Sequence, residues 1–260
     1  MTEPRMFQDL AGRTAIVTGG ARGLGYSLAT ALARNGVDVG LLDILPQVGD
    51  SAEALSAEHE IRSLGVDADV TDAASVEAAY QEVRDELGTP TILIAAAGVT
   101  IWGDSVDVAP DTWAKVVDIN LNGTFFAAQS FGRGLVESGE RGSGILISSM
   151  SGQVVNVPQH QASYNSTKAA VSQLAKSLAV EWAGIGVRVN AIAPGYFLSD
   201  MTRQFTEQNP KLAHDWVSRI PLGRMGEPQD LDGLVLLLAS DASSYLTGQT
   251  LVIDGGYTAI

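Results

Sequence analysis

The sequence predicts an α/β fold: one doubly wound domain over residues 1–260, with a central parallel sheet of about seven strands and helices on both faces. Three observations predict it. Short apolar segments alternate with segments of helical periodicity, which is the pattern of right-handed βαβ units. The strand segments are apolar on both sides, as in sheets that helices cover on both faces. No linker or shift in composition divides the 260 residues, of which 45% are hydrophobic.

The predicted elements alternate along almost the whole chain. Short apolar runs predict strands at residues 14–18, 37–43, 66–70, 91–96, 144–148, 187–192 and 250–253. Apolar residues that recur every three or four positions predict helices at residues 23–35, 48–62, 73–87, 110–136, 162–182 and 228–239, and a helical region after Ser199. Ligands bind such sheets outside the carboxyl ends of the strands, so functional side chains are expected just after the strands.

The composition excludes several classes of function. The chain has no cysteine, which excludes disulfides, thiolate catalysis and cysteine-based metal sites, and we predict no metal site. Its formal net charge of −14 disfavours binding to nucleic acid and to anionic membranes. The apolar runs are too short to span a bilayer, and the initial stretch MTEPRMFQDLAG lacks the apolar core of a signal peptide. We therefore expect a cytoplasmic protein without nucleic-acid or membrane partners.

A glycine-rich loop follows the first strand. In the stretch TGGARGLG, Gly19, Gly23 and Gly25 enclose Arg22 and Leu24. Glycines let the backbone approach a pyrophosphate closely, and the N-terminus of the following helix favours negative charge. The spacing departs from the strict G-x-G-x-x-G pattern, but strand, loop and helix occur in the order that a dinucleotide site requires.

Asp43 ends the second predicted strand, where an acidic side chain accepts hydrogen bonds from the adenosine ribose. A carboxylate at this point repels a 2′-phosphate. Arg22 favours the opposite preference, because a guanidinium in the loop is able to bind that phosphate. We give Asp43 the greater weight, since it occupies the ribose position itself, and predict NAD as the cofactor.

Four polar residues form a candidate catalytic set. Ser149 follows the fifth strand, Tyr164 lies fifteen residues later, and Lys168 lies one helical turn beyond the tyrosine. Asn120 sits within the apolar stripe of the preceding long helix, where an amide needs hydrogen-bond partners. Each residue alone has an ordinary structural interpretation as a satisfied polar group. Their combination, in this order on this fold, indicates a site.

Taken together, these motifs resemble the short-chain dehydrogenase/reductase family over essentially the whole chain, which implies a Rossmann-type fold and an oxidoreductase. The matching pieces are TGGARGLG, Asp43, the pair Asp69-Val70, AAAG at 95–98, DINLNGTF, ISSMSG, YNSTK, VNAIAPG and DGGY. One piece departs from the usual family pattern, since AAAG replaces Asn-Asn-Ala-Gly after the fourth strand.

The resemblance implies a role for each member of the candidate set. Tyr164 is the general acid/base, although a free phenol has a pKa near ~10. Lys168 lies on the same helical face, where its ammonium favours the phenolate and holds the nicotinamide ribose. Ser149 binds the substrate oxygen, and Asn120 anchors a water that links Lys168 to solvent.

The resemblance also implies further contacts to the cofactor and the substrate. Besides the loop residues, Asp43, Tyr164 and Lys168, the implied cofactor contacts are Asp69, Val70, Gly98, Ile119, Pro194, Gly195, Phe197 and Ser199. The implied substrate contacts are Ser149, Ser151, Asn156, Gln161 and Tyr164. Polar groups of this kind suit a hydroxyl-rich substrate.

The pattern is closest to the NAD-dependent polyol (sugar alcohol) dehydrogenases of the family, which interconvert a secondary alcohol and a ketone. The alternative is reduction of a 3-oxoacyl thioester or of another carbonyl. The carrier protein of such a thioester is acidic, so this acidic chain would need a local basic patch to bind it. A regulator that binds NAD without catalysis is a further alternative. The resemblance implies a small-molecule alcohol or ketone as the partner and a homotetramer, or a homodimer, as the assembly.

Overall fold

A computed structural model describes residues 7–260, so the predicted absence of a signal peptide falls partly outside the described residues. The strands are β1 (Thr14–Thr18), β2 (Asp38–Asp43), β3 (Ser63–Asp67), β4 (Ile92–Ala95), β5 (Gly142–Ile147), β6 (Val187–Pro194) and β7 (Thr250–Ile253). The helices are α1 (Gly23–Ala33), α2 (Val48–His59), α3 (Ala73–Leu87), α4 (Pro110–Val117), α5 (Gly123–Ser138), α6 (Ala162–Trp182), α7 (Asp200–Gln208), α8 (Pro210–Val217) and α9 (Asp232–Ala239).

Within residues 7–260, seven parallel strands form one sheet in the order β3-β2-β1-β4-β5-β6-β7. The strand order reverses between β1 and β4, which is the topological switch where such sheets bind ligands. The predicted fold class is confirmed. Among the described helices, none is both long enough and apolar enough to cross a membrane.

Two hydrophobic cores lie on opposite faces of the sheet, because successive side chains of a strand point to opposite sides. Val17 and Leu41 pack with residues of α1, α2 and α9 on one face. Ile16 and Leu42 pack with residues of α3, α5 and α6 on the other. A strand covered on both faces exposes neither side to water, which explains why the strand segments are apolar throughout.

A third, smaller cluster lies beyond the carboxyl ends of β6 and β7. It joins Trp216 of α8 and Phe205 of α7 to Tyr196, which follows β6, and to Tyr257, which follows β7. The Tyr196 and Trp216 rings are stacked, with centroids 4.5 Å apart and planes 14° apart. These segments therefore form an aromatic wall at the edge of the sheet where ligands are expected.

The third strand was predicted at residues 66–70, and this prediction is wrong: β3 spans Ser63–Asp67. The sequence SLGVD lacks the apolar run of the other strands and has a glycine in its interior. A side chain at Gly65 would lie 2.4 Å from the carbonyl oxygen of Val48, so α2 packs against the bare backbone. As a result, Asp69 and Val70 lie just after the strand, at the functional edge.

Two helix predictions also need correction. The continuous helix predicted over residues 110–136 is interrupted by a π-helical turn at Asp118–Asn122, and α5 then continues to Ser138. The helix predicted over residues 48–62 ends at His59, because Glu60 takes a left-handed conformation with φ of 56°. The N–H of Glu60 then donates to the carbonyl of Ser56 and closes the helix.

Candidate active site

The glycine loop after β1 has the shape of a pyrophosphate cradle. A Cβ at Gly25 would lie 2.2 Å from the carbonyl oxygen of Gly19, so the first turn of α1 rests directly on the loop backbone. Gly23 has φ of +64°, and a Cβ there would meet nothing within 4 Å. One glycine thus permits close packing of the helix, and the other leaves open space at its N-terminus. These residues fit a dinucleotide phosphate.

The Asp43 carboxylate is held in place by two backbone donors. Its Oδ2 accepts from the Ala21 N–H at 3.0 Å, and its Oδ1 accepts from the Leu45 N–H at 3.1 Å. The first bond ties the end of β2 to the glycine loop. Arg22 is exposed beside it and borders, with Gly23 and Ser199, a groove of about 590 Å³. The structure therefore places the acidic group and the loop cation at the same edge.

Asn120 is fully buried in the π-helical turn. Its Oδ1 accepts from the Val99 N–H at 2.8 Å, and its Nδ2 donates to the Val99 carbonyl at 2.9 Å and to the Thr167 hydroxyl at 3.2 Å. One amide therefore fastens the segment after β4 to helix α6. π-Turns inside α-helices occur frequently at functional sites.

The Lys168 ammonium is buried and reaches back to the sheet. Its Nζ donates to the carbonyl oxygen of Ile147, the last residue of β5, at 2.7 Å. The same nitrogen lies 5.7 Å from the centroid of the Tyr164 ring. Burial lowers the pKa of Lys168 from 10.5 to about 8, because the charged form loses its water.

Ser149 follows β5, and Tyr164 lies in the first turn of α6, close enough for the serine to affect the phenol. Burial raises the pKa of the Tyr164 phenol, and a side-chain hydrogen bond with Ser149 opposes the rise. The Ser149 hydroxyl also accepts from the Ser151 N–H at 3.1 Å. A protonated phenol at neutral pH is suited to donate a proton to a carbonyl oxygen, and a nearby positive charge would favour the phenolate for the reverse step.

The side chains of the predicted substrate wall are mostly engaged with one another. The Ser151 hydroxyl donates to Asn156 Oδ1 at 2.6 Å, and the Asn156 amide donates to the Tyr196 hydroxyl at 3.1 Å. Gln161 Nε2 lies 3.4 Å from the Ser151 hydroxyl. Gln159 was not predicted as a site residue, although its buried amide donates to the Tyr196 hydroxyl at 2.8 Å. The only sign in the sequence that Gln159 belongs to the site was its position between Ser149 and Tyr164.

Comparison with known proteins identifies the family. A family model described as "Enoyl-(Acyl carrier protein) reductase" matches residues 19–258. A short-chain type dehydrogenase/reductase from Mycobacterium marinum has the same fold, with a TM-score of 0.92 and 36% identity over 98% of each chain. The chain belongs to the short-chain dehydrogenase/reductase family.

Several relatives within the family act on sugars and sugar alcohols, according to their names. A sorbose reductase of Candida albicans is 42% identical over 96% of this chain and 88% of that protein. A galactitol 2-dehydrogenase (L-tagatose-forming) of Cereibacter sphaeroides is 40% identical over 96% of each chain. A Yarrowia lipolytica protein named "Probable NADP-dependent mannitol dehydrogenase" is 41% identical over 96% of this chain and 88% of that protein.

The other short-chain dehydrogenase/reductase positions that the sequence predicts as cofactor contacts also lie along the carboxyl edge of the sheet. Asp69 Oδ1 accepts from the Thr71 N–H at 2.8 Å. A Cβ at Gly98 would lie 3.3 Å from Asn120 Oδ1 and 3.4 Å from Lys168 Nζ, so this glycine borders the candidate catalytic set. The other positions in this group are Val70, which packs against Gly123; Ile119 in the π-turn; and Pro194 at the end of β6.

Three further residues that the resemblance implies as cofactor contacts lie after Pro194: Gly195, Phe197 and Ser199. A Cβ at Gly195 would lie 2.7 Å from the Cα of Asp254. The Phe197 ring is buried against Gly226. The Ser199 hydroxyl caps α7 by accepting from the Thr202 N–H at 3.3 Å.

The burial of Lys168 predicts a measurable pH dependence of folding. Between pH 8 and 10.5 the unfolded chain holds this proton more tightly than the folded protein, so the Lys168 contribution to stability rises with pH. Replacing Lys168→Met removes that contribution. From pH 7 to pH 10, the free energy of unfolding of the wild type should gain about 2 kcal/mol relative to the variant.

Urea unfolding at the two pH values measures the difference. The matched control is Lys115→Met, which removes the same side chain from an exposed position on α4. Parallel pH profiles for the wild type and Lys168→Met would contradict the prediction.

Proposed function

We propose that the protein is an NAD-dependent polyol dehydrogenase, which interconverts a secondary alcohol and a ketone with Tyr164 as the general acid/base. One observation carries the proposal: Ser149, Tyr164, Lys168 and Asn120 come from three separated segments and lie together at the carboxyl edge, beside a glycine cradle. We further propose that the whole chain forms one cytoplasmic catalytic domain that assembles as a homotetramer or homodimer.

In the proposed reaction, the Ser149 hydroxyl binds the substrate oxygen and holds it beside Tyr164. A bound nicotinamide cofactor supplies or accepts the hydride. Tyr164 donates its proton to the oxygen of a ketone, or takes the proton of an alcohol. Lys168 stabilises the phenolate by its charge, and Asn120 holds the local backbone and a water through which Lys168 exchanges protons.

The pyrophosphate would lie on the cradle of Gly19, Gly23 and Gly25, flanked by Arg22 and Leu24. The adenosine ribose would lie against Asp43. We propose that the remaining edge residues complete the cofactor site: Asp69, Val70, Gly98, Ile119, Pro194, Gly195, Phe197 and Ser199. The packing of α1 on the loop and the fixed Asp43 carboxylate support this assignment.

The substrate class is supported by the polar wall and by the relatives named for sorbose, galactitol and mannitol. Ser149, Tyr164 and Gln161 are proposed to contact the substrate directly. Ser151 and Asn156 belong to the same site and bond to each other, so they help to shape the wall. A site lined by hydroxyl and amide groups rejects substrates that lack matching polar groups.

A cofactor absorbance assay at 340 nm tests the proposal. The panel contains hexitols and pentitols with NAD, the corresponding ketoses with NADH, simple secondary alcohols, and 3-oxoacyl thioesters. We expect the highest kcat/KM on a polyol or a ketose. Activity confined to the thioesters would replace the substrate assignment, and cofactor binding without turnover on any substrate would favour a regulator.

Asp43 is expected to set the cofactor preference. Replacing Asp43→Ser removes the carboxylate that bonds the ribose and repels a 2′-phosphate. We expect kcat/KM for NAD to fall about 10- to 100-fold, because a hydrogen bond to a charged group is worth about 1.5–3 kcal/mol. The ratio of kcat/KM for NADP over NAD should rise.

The matched control for this experiment is Asp67→Ser, at the exposed end of β3, which should leave the ratio unchanged. Equal kcat/KM values for NAD and NADP in the wild type would contradict the assignment, as would an unchanged ratio in Asp43→Ser.

A further inference from the structure

A chain of side-chain hydrogen bonds connects the catalytic serine to helix α8. The Trp216 indole N–H donates to Gln159 Oε1 at 3.2 Å, and Gln159 Nε2 donates to the Tyr196 hydroxyl at 2.8 Å. Asn156 Nδ2 donates to the same hydroxyl at 3.1 Å. The chain then passes from Asn156 Oδ1 to the Ser151 hydroxyl. We call these five side chains the Tyr196 relay.

Ser151 connects the Tyr196 relay to the reacting groups. While its hydroxyl bonds to Asn156, its backbone N–H donates to the Ser149 hydroxyl at 3.1 Å. The position of this N–H depends on where the short 3₁₀ turn at Met150–Gly152 sits. The relay therefore fixes the donor that orients the catalytic hydroxyl.

Tyr196 is the centre of the relay. Its hydroxyl accepts from two amides that belong to one loop, and its ring stacks on Trp216 at 4.5 Å. Ser151, Asn156, Gln159 and Trp216 are each at most 6% exposed, so water does not readily replace a lost partner. Removing the hydroxyl would leave two buried donors unpaired, and such donors force their surroundings to rearrange.

We propose that Tyr196 is a positioning residue: its hydroxyl anchors the loop of Asn156 and Gln159 and, through Ser151, holds Ser149 in the geometry that binds the substrate oxygen. This inference rests on the proposed function, since it requires Ser149 to act on that oxygen. In this proposal Tyr196 acts through Asn156 and Ser151, and not by contact with the reacting atoms. Its removal should therefore impair turnover and leave cofactor binding intact.

The first test replaces Tyr196→Phe, which keeps the stacked ring and removes only the hydroxyl. We expect kcat per active site, counted by titration with NADH, to fall about 10-fold, with the Kd for NADH unchanged. The matched control is Tyr80→Phe. The Tyr80 hydroxyl is also buried, and it has no hydrogen-bond partner among residues 7–260, so its removal should leave kcat unchanged.

The second test places the same change in a Ser151→Ala background, where the relay is already cut between Asn156 and Ser149. Ser151→Ala alone should lower kcat by a similar factor, which also tests the proposal if Tyr196→Phe does not fold. In the double variant, Tyr196→Phe should lower kcat by less than about 2-fold further, because effects within one relay do not add.

Each outcome decides the inference. The inference is overturned if the kcat of Tyr196→Phe equals that of an active wild type. It is also overturned if the losses in the double variant are fully additive, because a hydroxyl with a merely structural role acts independently of Ser151. A wild type without turnover on any alcohol or ketone overturns the proposed function, and the inference with it. Loss of NADH binding in Tyr196→Phe would also contradict a role confined to Ser149.

Discussion

Replacing Tyr164→Phe should lower kcat by about 1000-fold, since general acid–base catalysis contributes roughly 10²–10⁴-fold. The substitution removes the hydroxyl that is proposed to move the substrate proton. Phenylalanine keeps the ring that packs beside Lys168, so the fold and the cradle should persist. We therefore expect the Kd for NADH to stay within about 2-fold of the wild-type value.

Initial-rate assays at 340 nm measure kcat, and NADH fluorescence titration measures the Kd for NADH. Tyr245→Phe is the matched control, because Tyr245 is fully exposed and its hydroxyl should not affect either quantity. A Tyr164→Phe variant with more than a tenth of the wild-type kcat would show that another group transfers the proton.

Replacing Gly25→Ala should disable the cofactor cradle. The added Cβ would lie 2.2 Å from the Gly19 carbonyl oxygen, and a backbone atom cannot swing aside as a side chain can. Helix α1 would have to move away from the loop by about 1 Å, and a misplacement of that size lowers catalytic rates by about 100-fold where a site requires a precise geometry. We expect NADH affinity to fall by about that factor and the free energy of unfolding to fall by about 2 kcal/mol or more.

The control for this substitution is another helical glycine. A Cβ at Gly233 of α9 would meet nothing within 4 Å, so Gly233→Ala should keep NADH affinity and change the free energy of unfolding by less than about 1 kcal/mol. Urea unfolding without cofactor separates the loss of stability from the loss of binding. Unchanged stability and NADH affinity in Gly25→Ala would disprove the packing role of this glycine.

The sequence predicted the parts of the fold whose cause is local. Strands such as β1 and β4 are recognisable because all their residues are buried, which requires apolar side chains on both faces. The glycine loop is recognisable because strand, loop and helix follow in order. The third strand was predicted at residues 66–70 and not at Ser63–Asp67, because the first half of β3 lacks an apolar run and α2 packs onto the backbone of Gly65. The π-turn was not predicted either, because the sequence keeps its helical periodicity through it. The hydrogen bonds between Asn120 and Val99 that accompany the turn join residues distant in the chain.

In the candidate site, too, local features were predictable and contacts between distant segments were not. Tyr164 and Lys168 are close because a helix fixes their spacing, and sequence spacing alone predicts this. The bonds of Tyr196 with Asn156 and Gln159 depend on how the segment after β6 meets the loop after β5. No periodicity encodes such a contact. The residues that orient the site were therefore harder to predict than those proposed to react.

The proposed function is tested most sharply by the specific activity of the wild type and Tyr164→Phe on a polyol panel with NAD and with NADP. We expect turnover of at least one polyol, a higher kcat/KM with NAD, and a loss of about 1000-fold in the variant with NADH binding retained. Absence of polyol and ketose turnover in a wild type that binds NADH, or equal activity of the two proteins, would contradict it.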